Sequence, residues 1–141
     1  MNTGPAIAVA VTFVWLGMVL AISFLEAPLK FRAPGVTLQI GLGIGRLVFR
    51  ALNTAEVAFA LVILAIVLSS PTRVWITVAF CLAFAALAVQ LIAVRPRLTR
   101  RSDQVLAGLD APRSRGHYGY VGLEAVKAVG LLAAGILLLT C

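Results

Sequence analysis

Long apolar runs separated by short polar stretches organise the chain. Ala6 to Leu25 carries no ionisable side chain, and a run of roughly 20 apolar residues is what a membrane-spanning helix needs. The preceding Met1 to Pro5 contains no Lys or Arg, so the run reads as a retained helix rather than a secretory signal. Glu26-Ala27-Pro28-Leu29-Lys30 ends it by combining charge with proline, and Pro34-Gly35 adds a second break. From Val36 to Phe49, apolar Val36, Leu38, Ile40, Leu42 and Ile44 alternate with Thr37, Gln39 and three glycines. Such alternation is a strand signal. A lone strand in lipid would leave its backbone unpaired. The segment 36–52 therefore reads as an interfacial or re-entrant helix, with continuity into the next span as the alternative.

Asn53 to Ser69 forms the second span. Ser69-Ser70-Pro71-Thr72 makes a tight turn, and Val74 to Val94 forms the third span with Trp75 as an interfacial anchor. Residues 95–117 are the one polar stretch, and Tyr118 to Leu139 forms the fourth span. The expected fold is all-α: a polytopic four-helix membrane bundle in one domain, 1–141. Its spans lie at about 6–25, 53–69, 74–94 and 118–139. The extra interfacial or re-entrant segment lies between spans one and two, and the polar loops are 26–52 and 95–117.

Composition supports the membrane assignment. Of 141 residues, 62% are hydrophobic and 12% charged, too few polar groups to cover a water-facing surface. An ordinary soluble enzyme and a disordered chain are excluded. Cys81 and Cys141 make no metal or redox spacing, so a disulfide scaffold is excluded too.

The net charge of +7 would suggest nucleic acid in a soluble protein. Here the basic residues sit between apolar runs, where they report topology and contact with anionic lipid headgroups. Lys30, Arg32, Arg46 and Arg50 lie between spans one and two. Arg95, Arg97, Arg100, Arg101, Arg113 and Arg115 lie between spans three and four, and the connection between spans two and three has only Arg73. The positive-inside rule puts the two basic loops in the cytoplasm and both termini outside, in a bacterial inner membrane.

Ionisable groups inside a span are costly, so each is a candidate site. Span two contains Glu56, span three Gln90, and span four Glu124 and Lys127. At 1.5 Å rise per residue, Glu56 lies roughly 9 Å beyond Arg50, Gln90 roughly 7–8 Å before Arg95, and Glu124 roughly 10–11 Å beyond His117. All four fall in the same half of the bilayer. His117, Tyr120, Glu124 and Lys127 share one helical face, and Arg46, Arg50, Asn53 and Glu56 form a similar stripe. Glu26 and Lys30 close the same end of span one.

These residues could converge on a ligand, ion or proton site. The preferred reading is a clasp, with Glu124 paired to Lys127 and Glu56 to Arg50 or Lys127. Other candidates weigh less. His117 is the sole histidine, so a bis-histidine haem cannot be built within one chain. Gly41 to Arg46 lacks both the spacing and the lysine of a phosphate loop. Tyr118 and Tyr120 read as interfacial anchors, and Ser102, Asp103 and Asp110 as solvated loop residues. No catalytic residue, cofactor or metal ligand set is expected.

Gly17, Ser23-Phe24, Pro28 and Phe31, then Gly45 and Phe49, then His117 with a polar residue seven positions later form a further pattern. It resembles a group of small four-helix integral membrane proteins placed near the copper-resistance protein D superfamily. The resemblance covers spans one, two and four and implies a four-helix fold and topology. The last helix of that group tends to read His, Ser, Asn, whereas this chain has His117, Tyr120 and Glu124 with Lys127 added. Met1 and Met18 do not make a copper-binding cluster.

Three functional readings remain. One is a structural or accessory membrane protein. Another is a transporter or channel-like module for a proton, ion or small polar solute, which favours a homo-oligomer because four helices enclose only a narrow path. The third is a lipid-modifying enzyme, for which no catalytic signature is present.

Overall fold

The computed structural model describes residues 3–108 and 115–140, with side chains at 94, 97 and 115–118 outside the description. Four helices are long and apolar enough to cross a membrane. Helix α1 is Thr3–Lys30 and α2 is Leu38–Ser69. Helix α3 runs over residues 74–106, and α4 is Arg115–Leu139. Among the described residues there is no β-strand.

The first helix ends at Lys30, inside the expected stop Glu26–Lys30, but two other boundaries differ from the sequence expectation. Helix α3 does not end at Val94 but continues through Pro96. In both helices a π-helical segment, Leu20–Glu26 in α1 and Gln90–Val94 in α3, directly precedes the prolyl turn. The Ala27 amide donates to the Ile22 carbonyl and the Arg95 amide to the Gln90 carbonyl, each reaching back five residues. A proline ring in a straight α-helix clashes with the carbonyl four residues back and has no N–H to offer it. Widening the preceding turn relieves that conflict, and the helix continues. The expected polar loop 95–117 is thus helical to Leu106, closed by Gly108 at φ 85°.

The second correction concerns 36–52. It is not a separate interfacial or re-entrant element, because α2 runs unbroken from Leu38 through Ser69. The Thr37 hydroxyl caps it by accepting from the Ile40 amide at 3.2 Å. The glycines that mimic a strand pattern serve close packing instead. A Cβ on Gly41 would overlap the Phe31 ring, and one on Gly45 would stand 2.8 Å from Lys30 Nζ. The polar connection between α1 and α2 shrinks to residues 31–37, where Gly35 adopts φ 81°.

Helix α4 packs along α3 on one side and α1 on another, and α1 in turn packs on α2. Small residues let α3 and α4 approach closely: a Cβ on Gly130 would lie 3.0 Å from the Ala79 carbonyl oxygen. Trp15, Leu16 and Val19 of α1 join Ile63, Phe80, Leu131 and Ala134 in the buried core. Trp15 stacks on Phe84 at 6.1 Å between ring centroids. Outward-facing positions such as Leu61, Leu82, Ile92, Leu132 and Ile136 are apolar and exposed, as a lipid-facing surface requires.

Helices α2 and α3 meet chiefly at the basic end, through the Arg46–Asp103 pair at 2.7 Å and a Gln39 amide donating to the Val105 carbonyl at 3.2 Å. Asp103 therefore has a defined partner on a helix, where the sequence suggested a solvated loop. Both side chains of the pair are more than a third exposed. Asp103→Ala is accordingly expected to lower stability by about 1 kcal/mol or less, as read by denaturant unfolding in micelles.

Candidate functional site

Lys127 is completely buried at the centre of the bundle. Its ammonium lies 2.5 Å from Glu56 Oε2, 2.5 Å from Glu124 Oε1 and 2.8 Å from Gln90 Oε1. An ammonium has three protons, and all three are taken. Each partner comes with its own support. Trp15 Nε1 donates to Glu56 Oε2 at 2.8 Å, Gln90 Nε2 to Glu124 Oε1 at 2.7 Å, and Ser23 Oγ to Glu124 Oε2 at 2.5 Å. The network draws side chains from all four helices.

Local structure explains how they meet. Glu124 and Lys127 are three residues apart on α4 and share a face. Ser23 and Gln90 both lie within the π segments, so the two widened turns flank the same centre. Such segments often mark functional positions in helices.

Two carboxylates face one ammonium, so the fully ionised cluster carries a formal charge of −1 in a low-dielectric interior. Glu56 Oε1 is buried and has no hydrogen-bond partner among the described residues. The same holds for both polar atoms of Asn53, one turn before Glu56, and for the Tyr120 hydroxyl, one turn before Glu124. An unpaired buried oxygen costs free energy unless a proton, a water or a ligand satisfies it.

A cavity of about 510 Å³ reaches the cluster from the basic end of the bundle. Ser23 and Glu124 line its inner end, and Lys30, Arg46 and Arg95 line its wall with Tyr120. Arg46 and Arg95 also face a second, lateral cavity of about 280 Å³ between α2 and α3, lined by Arg50 and Asn53 among others.

The structure brings Glu56, Gln90, Glu124 and Lys127 into one centre, as their shared depth predicts. It settles the pairing of Glu56 in favour of Lys127. Tyr120 lies beside the centre: its carbonyl accepts a long 3.4 Å contact from Gln90, and its ring meets Phe49 edge-on at 5.6 Å. Glu26 and Lys30 pair loosely with each other at 3.9 Å, and Arg46 pairs with Asp103, so these three lie outside the central network. Arg50 is exposed on α2. The His117 side chain lies outside the described residues.

Trp15 and Ser23 belong to the centre although neither is among the candidate site residues read from the sequence. Trp15 carries a signal, since an indole N–H deep in an apolar span needs an acceptor. Ser23 enters the sequence reading only through the resemblance motif and carries no chemical signal of its own. No three His, Cys, Asp or Glu side chains come together as a metal-binding group among the described residues. Neither a family model, nor a curated protein, nor a solved structure matches this chain.

Proposed function

We propose that the protein is a small transport or channel-like module in which the Glu56–Lys127–Glu124 centre binds and releases a proton. One observation carries this reading: two buried carboxylates share one ammonium, and Glu56 Oε1 has no donor among the described residues. A proton on the pair neutralises the surplus charge and supplies the missing donor together. The cavity leading to Glu124 offers that proton a route from the basic end. By the positive-inside rule, the basic end faces the cytoplasm of a bacterial inner membrane, with its arginines near anionic headgroups. A homo-oligomer fits this reading, because each four-helix unit encloses only a narrow path.

A structural or accessory role is the second reading. The observation favouring it is that Trp15, Ser23, Glu56, Gln90, Glu124 and Lys127 tie all four helices together. Such a clasp gives the bundle a specific register whether or not a proton moves.

Proteoliposomes separate the two. Under an imposed pH gradient, followed with a trapped fluorescent indicator, the wild-type chain is expected to pass protons. Glu124→Gln and Glu56→Gln, checked for folding by circular dichroism, are expected to fall to the rate of protein-free liposomes. Wild-type liposomes as tight as empty ones would defeat the transport reading and leave the clasp.

A further inference from the structure

We infer that the 510 Å³ cavity at the basic end is a binding site for an amphipathic anion: a carboxylate or phosphate attached to an apolar chain. The inference concerns the cavity wall and does not depend on proton movement at Lys127.

The wall carries an excess of positive charge. Lys30, Arg46 and Arg95 line it, with Glu124 as the acidic group among the lining residues. Asp103 pairs with Arg46 but leaves the remaining guanidinium donors available. Arg95 has no carboxylate within ion-pair distance among the described residues.

Lys30 is the most telling of the three. Its side chain is 10% exposed, yet the carboxylate within reach, Glu26 Oε2, stands 3.9 Å away, too far for a hydrogen bond. Its ammonium is instead held between two aromatic rings, 5.4 Å from the Phe31 centroid and 5.7 Å from that of Phe49. Gly45 supplies the space, since a Cβ there would come within 2.8 Å of Nζ. An ammonium set against two rings on the cavity wall, its carboxylate neighbour at 3.9 Å, has donors to offer a ligand in the cavity. On the same wall, the buried Tyr120 hydroxyl has no partner among the described residues.

The rest of the lining sets the other half of the ligand. Phe24, Phe31, Leu42, Phe49, Leu98 and Val121 make it largely apolar, which a bare inorganic anion would not use. The volume lies within the roughly 300–1,000 Å³ common to ligand pockets. Two sources could supply such a molecule. It could come from water at the basic end, or from the surrounding membrane.

The test is equilibrium titration of the purified full chain in neutral detergent with octanoate, oleoyl lysophosphatidate and inorganic phosphate. Saturable binding of octanoate or lysophosphatidate, with phosphate much weaker, is expected. Preference for octanoate identifies the water-borne source, and preference for lysophosphatidate the membrane source. Lys30→Met and Arg95→Gln should each weaken binding by about tenfold or more, as loss of a charged hydrogen bond does. Should Lys30→Met fail to fold, Arg95→Gln gives the same reading. Absence of saturable binding, phosphate binding as tightly as the amphiphiles, or folded variants binding like wild type would each overturn the inference. Because no gradient is involved, a negative proton-flux result leaves this outcome untouched, and the reverse also holds.

Discussion

Lys127→Met is expected to cripple assembly of the bundle. The substitution keeps a similar length and removes the one cation between Glu56 and Glu124, both of which are buried. Removing one partner of a buried ion pair typically costs about 3–5 kcal/mol, because the remaining charge is stranded. Here two carboxylates are stranded, and the Gln90 carbonyl oxygen also loses its donor. A whole domain is stable by only about 5–15 kcal/mol, so the change consumes much of the margin. Unfolding in mixed micelles followed by circular dichroism should show a large drop in the transition midpoint. The triple variant Lys127→Met, Glu56→Gln, Glu124→Gln should recover most of it, since neutral amides remove the stranded charge. A single variant that unfolds like wild type would show that the centre does not hold the bundle together.

Gly130→Leu is expected to separate α3 from α4. A single methyl group at 130 would already meet the Ala79 carbonyl oxygen at 3.0 Å and the Ala83 amide nitrogen at 3.4 Å. Both are backbone atoms of the facing helix, so neither can move aside as a side chain would. Leucine adds three further carbons in the same direction. Overpacking typically costs about 1–3 kcal/mol when side chains can adjust, and a backbone obstacle places this case at the upper end. At Gly122 on the same helix, an added Cβ would meet nothing within 4 Å. Gly122→Leu is therefore the control, matched for the gain in helix propensity, and should melt like wild type or slightly higher. If both leucine variants unfold at the same denaturant concentration, close α3–α4 contact contributes nothing to stability.

The two substitutions probe features that differ in how plainly they are written in the chain. Lys127 announces itself: an ammonium in an apolar run must find a partner, and Glu124 one turn away is an evident one. Gly130 announces nothing, because glycine is frequent in apolar helices and only the opposing backbone reveals why no side chain fits. The polar run from Arg95 goes further and misleads. It reads as a loop, and proline normally marks the end of a helix, yet the π segment at Gln90–Val94 lets α3 continue through Pro96 to Leu106. Helix α1, by contrast, ends at Lys30, two residues past Pro28. Whether a turn widens or breaks depends on the packing around it. The alternation at 36–49 misleads for a related reason, since Gly41 and Gly45 mimic polar positions while serving as seats for Phe31 and Lys30.

The sequence by itself determined the membrane class, the four spans, the concentration of basic residues at one end, and the level at which Glu56, Gln90, Glu124 and Lys127 lie. Those properties depend on what each residue costs in lipid and on a fixed rise per residue, both local quantities. Only the tertiary structure decided that Lys127 sits between both carboxylates, that Trp15 and Ser23 complete the network, and that Lys30 waits between two rings above a cavity. Those are relations between residues far apart in the chain. They are set by which helix faces meet when small side chains allow close approach, and no local pattern encodes that choice.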